Sequence, residues 1–479
     1  MPDPTQHQNK TRLDSERIGW LLVKMATPAF IGMFVQTTYN VVNTIFIGHF
    51  VGTEAIAGLS IVFPLQMMAM GLGMMVGVGG LSVISRSIGQ DNRPRAERAL
   101  GNSFTASLAL SLVLMLIILP FVDFWLKLIG ASAEVLPYAH TYLTIIISGA
   151  VFNTLGMALF SLVRAEGNTR VGMTAMILGA LLNIMLDSIL IIWLKMGVRG
   201  AAMGTVIAQI TSMLYLLSYY LSGKSYLKIH PANFAPDSKI MKAMLSIGSA
   251  SFVQTTGTSI SSMILLHSVI AYGGDIALSA FGIIQRIMMF ANMPALVIGQ
   301  GLQPILGFNY GARRFGLGLK GIYLAYGSST VLCILTFGLV YLFPGPLLRI
   351  FSSDVDLVNT GIYAARLAFL SIPLMGLVMV SQMIFQAIGR AAKSFIAAIV
   401  RPVVFLIPAV LVMSRLFKLN GVFLSLPTAD TLTFLLVVFV MTPVINEFRK
   451  EAARENKNKA LSLARLPELE KTGHSGAAG

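Results

Sequence analysis

The sequence predicts an all-α polytopic membrane protein, with twelve transmembrane helices in two six-helix repeats (lobes) related by a pseudo-two-fold axis along the membrane normal. Three observations carry that prediction. The 479 residues are 55% hydrophobic and only 11% charged, with a mean hydropathy of +0.77, whereas soluble domains hold roughly 25% charged residues. Twelve apolar stretches are each long enough to cross a bilayer, which takes about 20 helical residues. Short motifs also recur at a nearly constant spacing. A soluble enzyme and a nucleic-acid-binding domain are excluded by the first observation alone.

Residues 1–17 are polar and contain Lys10, Arg12, Asp14, Glu16 and Arg17, so they lack the basic start and short apolar core of a cleavable signal. The spans then follow at 18–46, 55–85, 97–120, 135–163, 171–194 and 200–221, forming an N-lobe over 18–221. A polar segment, 222–240, holds Pro231 and Pro236 and reads as a linker. The second set lies at 241–270, 276–307, 316–343, 357–388, 394–415 and 419–445, forming a C-lobe over 241–445. Residues 446–479, mixed in charge, are expected to be a disordered tail.

An even number of spans places both termini on one side. Most of the 35 Lys and Arg fall on that side, among them Arg86, Arg93, Arg95, Arg98, Lys224, Lys228, Arg313, Arg314 and Arg390. Lys127, Lys195, Arg199, Arg349, Arg415 and Lys418 fall on the other. The positive-inside rule therefore puts the termini in the cytoplasm of a bacterial-type inner membrane. The net charge of +15 becomes a label of topology, with the lipid bilayer as partner and no nucleic acid. Cys333 is the only cysteine, so no internal disulfide forms.

The pentapeptide Phe34-Val-Gln-Thr-Thr38 recurs as Phe252-Val-Gln-Thr-Thr256, a shift of 218. A shift of 222 aligns Ala55 with Ala277, Gly77 and Gly79 with Gly299 and Gly301, Gly89 with Gly311, and the turn at Gly167 with that at Gly389. A four-residue difference after the first span of each half reconciles the two. Six spans per half give parallel repeats, and two lobes facing across a cleft suit alternating access. With no ATP-binding P-loop in the sequence, the driving force is expected to be an ion gradient.

Only two acids lie deep in the spans, Asp187 and Asp430. An intramembrane carboxylate costs several kcal/mol and marks a functional candidate. Asn183 and Asp187 share a helix face at i,i+4, where an amide and a carboxylate would coordinate a cation or hold a proton. The alternative is a buried polar pair gluing helices. In the first span Pro28 would bend the helix, and polar groups including Gln36, Tyr39 and Asn43 crowd its second half. Gln254 occupies the apolar stretch of span seven. Asp430 has two readings: a residue that attracts cationic substrate from the C-lobe side of the cleft, or a partner neutralising Arg286 or Arg401; Arg286 is itself counted among the cleft residues.

The segments Tyr39-Asn-Val-Val-Asn-Thr-Ile-Phe-Ile-Gly48, Ile84-Ser-Arg-Ser-Ile-Gly89, Gly299-Gln-Gly-Leu-Gln-Pro304 and Asn309-Tyr-Gly-Ala-Arg-Arg314 resemble those of the multidrug and toxic compound extrusion (MATE) transporters, and the likeness runs from about residue 18 to 446. The resemblance implies a monomeric antiporter, not an enzyme, that exports amphipathic organic cations in exchange for H⁺ or Na⁺ and needs no cofactor. In DinF-like members of that family an N-lobe site uses a proline-bent first helix with an aspartate four turns on, an Asn/Asp pair on helix five and a threonine on helix six. By resemblance these map to Pro28, Asn43, Asn183 with Asp187, and Thr205. Asn43 departs from the family's aspartate, leaving Asp187 as the site's one titratable carboxylate, with Na⁺ at Asp187 the sole metal to consider. Two rivals are a lipid-linked glycan flippase or metabolite exporter, which would need a strongly cationic cleft, and an intramembrane hydrolase using Asp187 and Asp430.

Overall fold

A computed structural model describes residues 13–51, 53–351 and 354–473; within these ranges the side chains of 40–45, 47–49, 53–54, 275 and 459–473 are outside the description. The twelve membrane helices are α1 (Ile18–Phe50), α2 (Thr53–Gly89), α3 (Arg93–Ile129), α4 (Leu136–Ser148 with Ala150–Ala165), α5 (Thr169–Trp193) and α6 (Gly197–Leu221) in the first half. The second half comprises α7 (238–273), α8 (275–311), α9 (Phe315–Leu342), α10 (Val355–Ala368 with Ile372–Ala387), α11 (391–417) and α12 (419–473). Helices α7 and α8 part at Gly274 (φ 64°), and α11 and α12 at Lys418 (φ 51°), both in the left-handed region that ends a helix. Eight helices and two bent pairs are long and apolar enough to cross a membrane. The 391–458 stretch contains two of these crossings, since Thr428 returns to within 3.5 Å of Met413. The remaining helix, α7, is the most polar span, carrying Ser251, Gln254, Thr255, Thr256, Ser259 and Ser261.

Both α4 and α10 bend by 53°, at Gly149 and just before Ser371, positions 222 residues apart. The same offset governs the contact between lobes. A Cβ on Gly89 would strike the Phe308 carbonyl and one on Gly311 would strike the Arg86 carbonyl, so each repeat presents the same glycine to the same point of the other. Only glycine lets two helix backbones approach this closely.

Farther along, the symmetry relaxes. Where α2 crosses α7, Gly79 abuts the Met244 backbone and Gly248 abuts that of Met75. The equivalent crossing of α8 with α1 sets Gly301 against Ala26, whose nitrogen would lie 3.2 Å from an added Cβ, and Phe30 stands where its counterpart has Gly248. Its ring stacks on Phe34 at 6.4 Å, and Phe34 meets Phe290 of α8 at 6.0 Å. Ser82 donates to the Gln386 carbonyl, and Arg164 Nη2 donates to the Gln300 carbonyl at 2.8 Å, joining the lobes near the face that carries the termini.

The linker is strapped to the N-lobe. Asn102 of α3 donates to the carbonyls of Asn233 and Ala235, both at 3.2 Å, and its Oδ1 accepts from the Asp237 amide at 2.8 Å. Glu166, 2% exposed in the turn after α4, accepts from Ser225 Oγ at 2.7 Å, Tyr219 Oη at 3.1 Å and the Tyr226 amide at 3.1 Å. Burial pushes this carboxyl up to about 7, although these donors pull the other way. Beyond residue 445, α12 continues to Gly473. The stretch is rich in Ala, Glu, Lys, Arg and Leu, which favour helix, and its first proline is Pro467.

Candidate functional site

The sequence brings a carboxylate into the N-lobe by the spacing of α5. Thr169 opens that helix at the terminal face, so Asp187 lies about 27 Å along it at 1.5 Å per residue. Asp187 and Asn183 are 1% and 2% exposed. With its amide turned to satisfy both ends, Asn183 Nδ2 donates to Asp187 Oδ2 at 3.1 Å, while its Oδ1 accepts from the Thr205 amide at 3.1 Å. Thr205 is also buried, its hydroxyl donating to the Ala201 carbonyl at 2.9 Å.

The second oxygen, Asp187 Oδ1, has no hydrogen-bond partner among the described residues. It lies over Gly204, where an added Cβ would come within 2.7 Å. Among the described residues no Lys, Arg or His reaches ion-pair distance. The next six residues, Ser188–Trp193, wind as a π-helix, a local widening that often accompanies functional sites. Tyr142, fully buried on α4, stands beside Thr205 and Gln66 and completes the wall. Sequence reading missed Tyr142 and Gly204, since neither spacing nor residue type points across helices.

The carboxylate of the C-lobe has different company. Asp430, 2% exposed on α12, accepts from Arg401 Nε at 2.6 Å through Oδ1 and from Ser371 Oγ at 2.6 Å through Oδ2. Arg401 lies in the π-helical turn Val400–Leu406 of α11, and Ser371 lies at the break of α10. Asp430 therefore neutralises Arg401, and Arg286 stands exposed on α8 without a carboxylate partner among the described residues. The described residues hold no group of three or more His, Cys, Asp or Glu arranged for a metal.

A family model described as MatE matches residues 28–189 and 250–411, two segments of equal length displaced by 222. The chain belongs to the MatE family. Among its relatives, Multidrug export protein MepA of Staphylococcus aureus (strain MSSA476) is 26% identical over 422 residues, 88% of this chain and 92% of that one. The protein of the same name from Staphylococcus haemolyticus (strain JCSC1435) is 26% identical over 432 residues, covering 90% and 95%. Two similar solved structures are described as a MATE in complex with MaL6 (TM-score 0.88, 25% identity, covering 92% and 99%) and as the outward-facing conformation of a multidrug resistance MATE family transporter of the MOP superfamily (0.87, 25%, 92% and 99%). A third, from Pyrococcus furiosus (0.86, 26%, 92% and 99%), is described as having a binding pocket of reverse polarity that suggests a different function.

In this MatE-family chain the structure gathers Asn183, Asp187 and Thr205 at one point. Pro28 is buried within α1, which runs through it, and Gln36 and Tyr39 follow on the same helix, each half-buried. The side chain of Asn43 lies outside the described residues. Gln254 accepts from Gln382 Nε2 at 2.7 Å, one rung of an amide ladder in which Gln386 donates to Ser251 Oγ at 3.2 Å and accepts from Gln303 at 3.0 Å.

Proposed function

We propose that this protein is an ion-coupled antiporter that exports amphipathic organic cations by alternating access of its two lobes. Membership of a family of transporters and kinship with proteins named for multidrug export support the export of small molecules. The coupling reading rests on one observation: Asp187 is buried with one oxygen unpartnered and no basic residue beside it among the described residues. A carboxylate so placed holds a proton or a sodium ion more readily than it stays bare, because desolvation penalises the isolated charge. Asn183 fixes one oxygen and Gly204 leaves room at the other.

In this reading both termini lie in the cytoplasm of a bacterial-type inner membrane, the lobes are sealed on that side, and one chain forms a complete cleft as a monomer. H⁺ or Na⁺ loads Asp187 from outside, the packing of α1 against α5 changes, and cationic substrate held near Gln36 and Tyr39 leaves. Release of the ion inside resets the lobes. Arg286 and Gln254 line the C-lobe side as neighbours of the path. A pyrophosphate-bearing lipid would need several free cations, yet Arg401 is committed to Asp430. A hydrolytic pair fails for a related reason, because the two aspartates sit in different lobes and one is already ion-paired.

The test is efflux of a fluorescent cation from proteoliposomes under an imposed pH or Na⁺ gradient. Wild-type protein should respond to one gradient, and Asp187→Asn should insert normally yet respond to neither. Undiminished efflux by that variant would remove the coupling role.

A further inference from the structure

On the lipid-facing surface near the termini, basic and aromatic side chains collect along α9, which packs against α1 on one side and α12 on the other. Helices α1 and α9 pack there through small residues, Gly19 facing Leu324 and Gly321 facing Ile18. On one flank Lys24 turns back along α1 so that its ammonium lies 4.4 Å above the ring of Trp20, itself 59% exposed. On the other flank the Tyr323 hydroxyl of α9 accepts from Arg449 Nε at 2.9 Å and Nη2 at 2.6 Å. Lys320, one turn before Tyr323, is exposed, as are Arg17 and Lys450.

These cations lack local compensation. The carboxylates around them are engaged elsewhere: Asp14 with Arg314, Glu447 with Arg390, Glu451 with Arg454, and Glu455 with the Gly316 amide. Glu16 is the remaining acid at this corner. Arg17, Lys24, Lys320, Arg449 and Lys450 form no ion pair among the described residues. By helix rise Lys24 stands about 9 Å and Lys320 about 8 Å past the starts of their helices, the depth of headgroups and glycerol rather than of acyl chains. Trp and Tyr favour that layer, and Lys and Arg extend along apolar surface to reach it.

We propose that this corner binds the phosphate headgroup of an anionic phospholipid in the leaflet on the side of the termini. Lys24, Lys320 and Arg449 supply the positive charge, Trp20 and Tyr323 set the depth, and Leu324 between them meets the acyl chain. Bound lipid would bridge α1 of the N-lobe to α9 and α12 of the C-lobe across their seam.

Delipidated full-length protein is titrated with dioleoylphosphatidylglycerol, dioleoylphosphatidylcholine or inorganic phosphate, with lipid retention read by native mass spectrometry and thermal midpoint in parallel. Phosphatidylglycerol should be retained at least fivefold more than phosphatidylcholine. The variant Lys24→Gln/Lys320→Gln/Arg449→Gln should lose that preference, while Lys127→Gln/Arg199→Gln on the opposite face keeps it. Equal retention by the first variant, or equal loss in both, overturns the proposal. So does a midpoint shift with inorganic phosphate alone matching that with the lipid, which would mark a free-anion site. Lys24→Gln by itself removes one exposed charge and little packing; it should lower retention about twofold, and no change would count against the site even if the triple variant fails to fold.

Discussion

The two lobes arose from one repeat, yet they treat a buried aspartate in opposite ways. In the C-lobe, Asp430 is locked between Arg401 and Ser371, both at 2.6 Å. In the N-lobe, Asp187 has Asn183 on one oxygen and nothing described on the other. A buried carboxylate with a guanidinium beside it has its charge compensated within the fold, and losing either partner is costly. In the coupling reading, a buried carboxylate without one finds its compensation in an ion that arrives and leaves. On the coupling reading proposed above, the contrast separates the acid paired within the fold, Asp430, from the one left open to an ion, Asp187, although both are almost completely buried.

That contrast can be broken most sharply at Asp187. Asparagine there should abolish gradient-driven efflux while the thermal midpoint of the purified protein holds, whereas Asp430→Asn should lower the midpoint. The next largest effect belongs to the C-lobe. Arg401→Met strands a buried carboxylate and should destabilise by roughly 3–5 kcal/mol, with Arg401→Met/Asp430→Leu recovering most of the loss. Denaturation midpoints of the single and double variants measure this, and additive losses would refute the pairing.

Glu166 extends the comparison outside the membrane, since it too is buried without an ion-paired cation among the described residues. Its folded value of about 7 lies above the ordinary 4.5, so the folded state binds the proton more tightly than the unfolded one. Stability is therefore fully present below about 4.5 and falls as pH rises toward 7, by roughly 3 kcal/mol at most. Hydrogen exchange of the linker near Ser225 should quicken over that window, and Glu166→Gln should flatten the dependence. The mildest change is Gly204→Ala. Its methyl group would press on Asp187 Oδ1, so efflux should drop about fivefold while expression holds, and unchanged efflux would show that the carboxylate can move aside.

Spacing and charge distribution made the helix count, the duplication and the two-lobe plan readable, because each depends on local hydropathy or on a constant offset such as 222. The pairing of Asn183 with Asp187 was readable as well, being one helical turn. Arg401 was visible only as one of two candidates for Asp430, since the choice depends on how α11 rotates against α12. Tyr142, Gly204 and Ser371 gave no signal: each acts across a helix interface, and their neighbours are fixed by packing rather than by sequence distance. Gln254 was legible as a polar residue of span seven, but its partner Gln382, 128 residues away, was not.

The unequal crossings of the two repeats have a mechanical consequence. Where α2 meets α7, backbone rests on backbone at Gly79 and Gly248, while the matching junction of α8 with α1 makes one looser approach, Gly301 to Ala26, and has Phe30 in place of the second glycine. A rocker whose bearings differ in tightness turns about the tighter one. In the alternating access proposed above, the fulcrum would therefore lie off the symmetry axis, beside α2 and α7, with α1 on the long arm. On that reading a small tilt of the lobes would carry the helix that faces Asp187 through a wider arc than its twin, so a duplicated and nominally even-handed machine would acquire one stroke that matters more than the other.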